Sequence, residues 1–219
     1  AFYWWINEHR KELVELLLFP ESYNDWSDFS TYSDLLLFEK DLGYLTSVVL
    51  VFLESPGSIA ELGAFSQIES LSERLLVVVK DDCHPKNSFI SLGPIRSIKE
   101  TQKYPNCVCV VPKGTPTQLA AHIPVIVEML DKKRADKKYK INFDANNLQH
   151  QIILVLDLVN LFLTVQKTEL QKLAQLFIGE IALSRLSQIL FLLEKTCLIK
   201  CNHYGNNQYF VPWKFRKIY

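Results

Sequence analysis

The residues best suited to chemistry lie together in the stretch Glu54-Ser55-Pro56-Gly57-Ser58-Ile59-Ala60-Glu61. Two carboxylates, two hydroxyls and a glycine stand within these eight residues. A carboxylate held at such a place can stay ionised and face a ligand as a nucleophile, and Gly57 lets a ligand approach the main chain. Two readings of Ser58-Ile59-Ala60-Glu61 compete. In one it is a capping box, in which Ser58 caps a helix and Glu61 reaches back to its amide. In the other Glu61 is a nucleophile at a strand's carboxyl end, its anion favoured by the helix dipole.

Positioning such residues takes a strand, a turn and a helix. Val48 to Leu53 is a short apolar run rich in β-branched side chains, which reads as a buried parallel strand. Glu54-Ser55-Pro56-Gly57 breaks it, and Ser58 opens a helical pattern with Ile59, Leu62, Phe65 and Ile68, running to about Arg74. The crevice at such a strand end faces exposed helix amides. Further strands are expected at Leu75–Val79, Val108–Val111 and Leu16–Phe19, the last ended by Pro20. Helices are expected over Phe2–Val14, Leu35–Tyr44, a short one after the Gly93-Pro94 turn, and one from Pro116-Thr117 to about Leu130, kinked or restarted at Pro124. Glu21 to Ser33 reads as a loop on the site side. This alternation argues for an α/β fold with a Rossmann-like parallel sheet.

Beyond Asp131 the pattern changes. Asp131–Lys140 reads DKKRADKKYK, with six basic residues in ten positions, and suits a solvated linker or helix end more than a specific nucleic-acid site. Helical patterns over Asn147–Leu163, Thr168–Phe177 and Leu183–Leu198 follow. Two short β segments then close the chain, Leu198–Cys201 and Gln208–Val211, joined by a turn at Tyr204-Gly205-Asn206-Asn207. Three helices and a two-stranded wing predict a winged helix-turn-helix. Its third helix offers only Ser184, Arg185, Ser187 and Gln188 as polar face, a thin set for reading bases. The expected domains are 1–131, a basic linker 132–145, and 146–219.

The 219 residues are 48% hydrophobic and 22% charged, the composition of an ordinary globular protein. No apolar stretch of membrane-spanning length lacks polar residues and no basic leader precedes a cleavage site, so a cytoplasmic protein without membrane spans is expected. Five cysteines, Cys83, Cys107, Cys109, Cys197 and Cys201, show no CxxC pair and suit reduced thiols. His84, in a loop before Pro85, reads as solvated. His122 and His203 have no partners at ligand spacing, so no metal is expected. Net charge is zero, yet residues 1–70 hold 3 basic and 12 acidic side chains and residues 132–219 hold 14 and 6. That asymmetry predicts an acidic front, a basic back and a polyanionic or acidic partner for the latter.

Glu61-Leu62-Gly63-Ala64-Phe65-Ser66 after a Pro-Gly turn resembles the nucleophile segment of nucleoside 2-deoxyribosyltransferases. The longer run Glu54 to Ser66 is similar to the effector proteins of bacterial retrons of the deoxyribosyltransferase-like, N-glycosidase type. Phe19-Pro20-Glu21, Ser88-Phe89-Ile90 and Gly93-Pro94 with Arg96 agree in the same order, and the winged helix belongs to the same architecture. The family pattern opens with a strand and a Gly-containing substrate loop. This chain opens at Ala1 in a helix-like pattern, so that first strand is expected to be missing from the sequence.

The resemblance implies a toxic effector of an antiphage defence system that hydrolyses the N-glycosidic bond of NAD⁺ or a related nucleotide, with Glu61 as nucleophile. NAD⁺ enters as substrate, and no cofactor is implied. Its partners would be the retron reverse transcriptase and its RNA-linked single-stranded DNA, within an oligomeric assembly. Glu54 is the best-placed second acid or sugar contact, with Glu21, Glu39 and Asp41 as further candidates. Ser55, Pro56, Gly57, Ser58 and Glu21 would line the substrate, and Arg96 would pair with a phosphate. The alternatives are a nucleoside deoxyribosyltransferase and a non-catalytic, nucleotide-sensing regulator bound to nucleic acid.

Overall fold

The computed structural model describes residues 1–23, 31–81, 87–102, 107–112, 114–115, 120–135, 142–205 and 207–213. The chain divides into two compact units, Ala1–Leu17 with Thr46–Tyr139, and Leu18–Leu45 with Lys140–Tyr219.

The first unit is built on three parallel strands, β1 (Val49–Leu53), β2 (Leu75–Lys80) and β3 (Val108–Val111), in the order β1-β2-β3. β2 is the central strand, and all of its residues but Lys80 are buried, which is why LLVVV carries no alternation. Its two faces still have different neighbours. Val78, Cys109 and Val111 join Leu50, Phe52, Phe2 and Ile126 in one cluster. That face is covered by α1 (Phe2–His9) and by the helix Ile123–Ala135, which meet around Ile6, Leu13, Ile123 and Val127. By the period of two, Val51, Leu53, Val77 and Val79 point to the opposite face. There α4 (Pro56–Phe65) packs on β1 through buried Leu62 and Phe65. After α5 (Glu69–Ser72) and β2, a turn of helix α6 (Phe89–Leu92) leads into α7 (Pro94–Thr101), whose Ile95 and Ile98 are buried. Both β-α-β crossovers therefore lie on one face, as the right-handed rule requires for strands added in sequence order.

Between Ala1 and Ala135 the structure departs from the sequence expectations at several points. The N-terminal helix breaks at Arg10 (φ −143°), whose guanidinium bonds Glu12 and, at 2.9 Å, Asp131, and it resumes as α2 (Lys11–Val14). Leu16–Phe19 is not a strand: the run has no β-branched residue, Leu16 and Phe19 are exposed, and Pro20 opens a 3-10 turn, Pro20–Ser22. The helix after β1 stops at Phe65 and restarts at Glu69 rather than continuing to Arg74. A helix does restart at Pro124, as expected: Ala120 is helical, a turn follows, and α8 (Ile123–Ala135) opens with the proline in its first turn. The expected start at Pro116-Thr117 lies outside the described residues. α8 also takes up Asp131–Ala135 of the supposed linker, and Lys133 there is buried, donating to Gln102 Oε1. Gln102 in turn donates to the carbonyl of Leu75 at 2.9 Å, fixing the end of α7 beside the start of β2.

The second unit has α3 (Leu35–Leu45), α9 (Leu148–Phe162), α10 (Lys167–Ile178) and α11 (Leu183–Lys195). An antiparallel sheet completes it, with β4 (Val165–Gln166), β5 (Ile199–Tyr204) and β6 (Asn207–Pro212) in the order β4-β6-β5. The three C-terminal helices and the hairpin match the sequence pattern, and Asn147 caps α9 by accepting from the amides of Gln149 and His150. β4 was not expected, since two residues carry no periodicity.

α3 joins this unit through a buried polar clamp. The fully buried carboxylate of Asp41 accepts a two-pronged bond from Arg185 of α11: Nη1 to Oδ2, and Nη2 to Oδ1 at 3.2 Å. The Tyr32 hydroxyl donates to Asp41 Oδ2 at 3.0 Å, and Gln188 Nε2 donates to the carbonyl of Thr31 at 3.2 Å. Tyr32, Phe38 and Phe191 pack edge to face around it. Two of the four polar residues of the third helix are thereby occupied.

The sequence's acidic front and basic back do not survive this regrouping. The first unit holds 14 basic and 13 acidic residues and the second 10 and 11. Acidic 18–45 offsets the charge of the basic C-terminal part.

Arg185→Ala strands a buried carboxylate and is expected to cost about 3–5 kcal/mol, lowering the denaturant midpoint of the second unit. Burial, and then the neighbouring Asp41 carboxylate, push the Tyr32 hydroxyl well above the ordinary tyrosine range. The folded protein keeps that proton where an unfolded chain releases it. Stability therefore falls as the pH rises past about 10, and melting curves of Tyr32→Phe should show a shallower alkaline decline.

Candidate active site

The carboxyl ends of β1 and β2 and the first turn of α4 form the edge at which open parallel sheets bind ligands. Glu54, Ser55, Pro56 and Gly57 all lie there and are exposed. The helix begins two residues before the sequence pattern suggests. Ser55, in extended backbone, is the N-cap, and Pro56 is the first helical residue, where its lack of an N–H costs nothing. Ser55 Oγ accepts from the amide of Ser58 at 3.2 Å, and Ser58 Oγ accepts from the amide of Ser55 at 3.2 Å. Ser58 Oγ also accepts from the amide of Glu54 at 3.2 Å.

This box changes the role available to Glu61. The expected Ser58–Glu61 box is not formed, because Ser55 and Ser58 complete one between themselves. Glu61 becomes the sixth residue of α4, half-buried and past the first turn. The helix dipole, which fades beyond that turn, is thus not the reason for a carboxylate here. What the fold supplies is placement: Glu61 precedes buried Leu62, on a helix seated directly on β1.

Glu54 ends β1 and forms an ion pair with Lys80 Nζ, 3.2 Å away at the end of β2. Lys80 went unnoticed as a site residue in the sequence, where its only signal is a cation closing an apolar strand. The ion pair ties two adjacent strand ends at the mouth of the site. Gly57 is not demanded by the protein's own packing, since a Cβ there would meet only Ser55 Oγ at 3.6 Å. Its openness leaves the backbone accessible to a ligand.

The remaining sequence candidates are on other elements. Arg96 is on α7, where its Nε is 2.8 Å from Glu100 Oε1 in an exposed pair one turn apart. Glu21 sits exposed in the 3-10 turn of the second unit, and Glu39 and Asp41 belong to α3 of that unit. Asp41 is withdrawn as a second acid, being consumed by Arg185 and Tyr32. Cys83 and His84 lie outside the described residues. Burial raises the thiols of Cys107 and Cys109, which makes them poor nucleophiles. Among the described residues no group of three or more His, Cys, Asp and Glu could hold a metal ion, and no single helix is long and apolar enough to cross a membrane.

Against known proteins, the model of the STM3845 retron effector protein family matches residues 2–201. The chain belongs to this family. It is also 35% identical over 85 residues to the "Retron Ec86 putative ribosyltransferase/DNA-binding protein" of Escherichia coli, a match covering 38% of this chain and 28% of that one. A second relative, the "Retron Ec73 putative ribosyltransferase/DNA-binding protein" of Escherichia coli, is 36% identical over 84 residues, covering 38% and 26%. The matched stretch is thus under a third of each relative's length. For this retron effector, the sequence expectation of the family and the α/β architecture with a parallel sheet both hold.

Replacing Ser55 by Ala removes the cap and is expected to cost about 1 kcal/mol. Amide exchange at Ser58 should accelerate roughly fivefold while exchange in β2 stays unchanged, which local hydrogen-exchange measurements can read.

Proposed function

We propose that this retron effector cleaves the N-glycosidic bond of NAD⁺ or a related nucleotide, with Glu61 as the nucleophile. The observation that carries this reading is the place of Glu61 on α4, a helix that packs on β1, opens at the ligand-binding edge of the sheet and is capped by Ser55 and Ser58. The first unit is read as a deoxyribosyltransferase-like domain and the second as a winged helix-turn-helix. Together they would act in the cytoplasm with the retron reverse transcriptase and its RNA-linked DNA. The open, exposed stretch Glu54–Gly57 fits a site completed within an oligomer.

In this mechanism the Glu61 carboxylate bonds to the anomeric carbon as the carbon–nitrogen bond breaks. The bonding pair returns to the nicotinamide ring, which leaves neutral and needs no proton. Water then attacks the anomeric carbon, frees Glu61 and releases one proton. Glu54, held by Lys80, would contact sugar hydroxyls, while Ser55, Pro56, Gly57 and Ser58 would line the sugar and phosphate. Arg96, on α7 of the same unit, stands as a further substrate contact in this reading.

Glu61→Gln should lower nicotinamide release from NAD⁺ by at least ~10²-fold while the protein's melting temperature is kept. Equal turnover by the variant would remove Glu61 from the mechanism. A second reading, transfer of the sugar to another base, is favoured by the word ribosyltransferase in the relatives' names. It predicts a new nucleoside or nucleotide when an acceptor base is supplied, whereas a hydrolase yields the free sugar product regardless.

A further inference from the structure

We infer that the second unit binds single-stranded nucleic acid on the outward face of its β5–β6 hairpin, and not through α11. This extends the nucleic-acid part of the reading above and is independent of its catalytic part.

The pleat separates the hairpin's residues into two sets. Ile199 and Phe210 are buried, so Ile199, Cys201 and His203, with Gln208, Phe210 and Pro212 opposite, form the inner set. The outer set is Lys200, Asn202 and Tyr204, paired with Val211, Tyr209 and Asn207. That outer face carries a cation, two amides and two tyrosines. Lys200 is exposed and Tyr204 is 70% exposed. Tyr204 and Tyr209 meet edge to face with centroids 5.8 Å apart. The Tyr209 hydroxyl accepts from Gln166 Nε2 at 2.8 Å, which fixes the inner ring of the pair. Rings held on a sheet with amides and a cation beside them are what unpaired bases stack on, and every base has a face to offer.

Charge points to the same partner. Residues 195–219 contain five Lys or Arg and no Asp or Glu. Two acidic side chains that reach the sheet are turned to main-chain donors: a Glu169 oxygen accepts from the amide of Gln166, and Glu194 Oε1 from that of Cys201, at 3.1 and 3.2 Å. By contrast, α11 has Arg185 and Gln188 committed to Asp41 and Thr31, and Ser187 Oγ bonded by Lys167 and to the carbonyl of Leu183. Of its polar face only Ser184 is exposed.

The test is fluorescence anisotropy of the full chain with a labelled oligothymidylate of about 20 nucleotides and with a duplex of equal length. The parent should prefer the single strand. Tyr204→Ala and Lys200→Glu should each weaken that binding about tenfold, with Lys200→Glu also flattening the salt dependence. Ser184→Asp, which puts an anion on α11, should bind like the parent. Both hairpin positions are exposed, so unchanged melting curves separate binding from folding. The proposal falls if Ser184→Asp weakens binding while the hairpin variants bind normally, if the parent prefers duplex, or if it binds neither oligonucleotide. NAD⁺ cleavage, measured in parallel, should be unchanged in all three variants, so failure here and failure of the catalytic reading are read separately.

Discussion

The ion pair between Asp41 and Arg185 sets the organisation of the second unit. A carboxylate with no exposure to water is tolerable only when its oxygens are fully used, and here two guanidinium nitrogens and a tyrosine hydroxyl use them. This requirement ties a segment from the front of the sequence to a helix near its end. It also draws the acidic residues of 18–45 into the unit that holds the basic C-terminal residues. A charge asymmetry that is pronounced along the chain is nearly absent from the folded units. On the polar face of the third helix, which the helix-and-hairpin pattern would assign to nucleic acid, Arg185 and Gln188 are taken up by contacts within the unit.

The first unit follows a simpler logic. Three parallel strands added in sequence order place both crossovers on one face, and helices α1 and α8 seal the other. Every strand then ends on the same edge, where β1 gives way to an extended cap and a helix start. Ser55 and Ser58 satisfy each other's amides there, so that edge needs no carboxylate for capping. Two serines there do the capping work that the sequence spacing suggested for one serine and one glutamate. Lys80 and Glu54 bind the ends of neighbouring strands across the same mouth.

Most of the strands and helices were legible from hydrophobic periodicity. The runs VVLVFL, LLVVV and VCVV are short and β-branched, and the C-terminal helices have clear apolar stripes. Where expectation and structure differ, local rules met a competing one. Leu16–Phe19 is as apolar as a strand but lacks β-branching and runs into Pro20. Lys133 belongs to a run of charges that reads as solvated, yet it is buried against Gln102, because one helix face continues into the run. Ser58 was the obvious N-cap until Pro56, which favours the first helical position, moved the start to Ser55.

The sequence by itself determined the α/β class, the strand–turn–helix that carries Glu61, and the family to which the chain belongs, because these depend on residues adjacent along the chain. The tertiary structure decided how residues distant along the chain are used. Whether Asp41 is a catalytic acid or a structural anion, and whether Arg185 faces a partner or its own unit, depend on contacts between residues far apart in sequence. The 144-residue separation of Asp41 and Arg185 leaves no local trace, since periodicity reports which face of an element is buried and not what buries it.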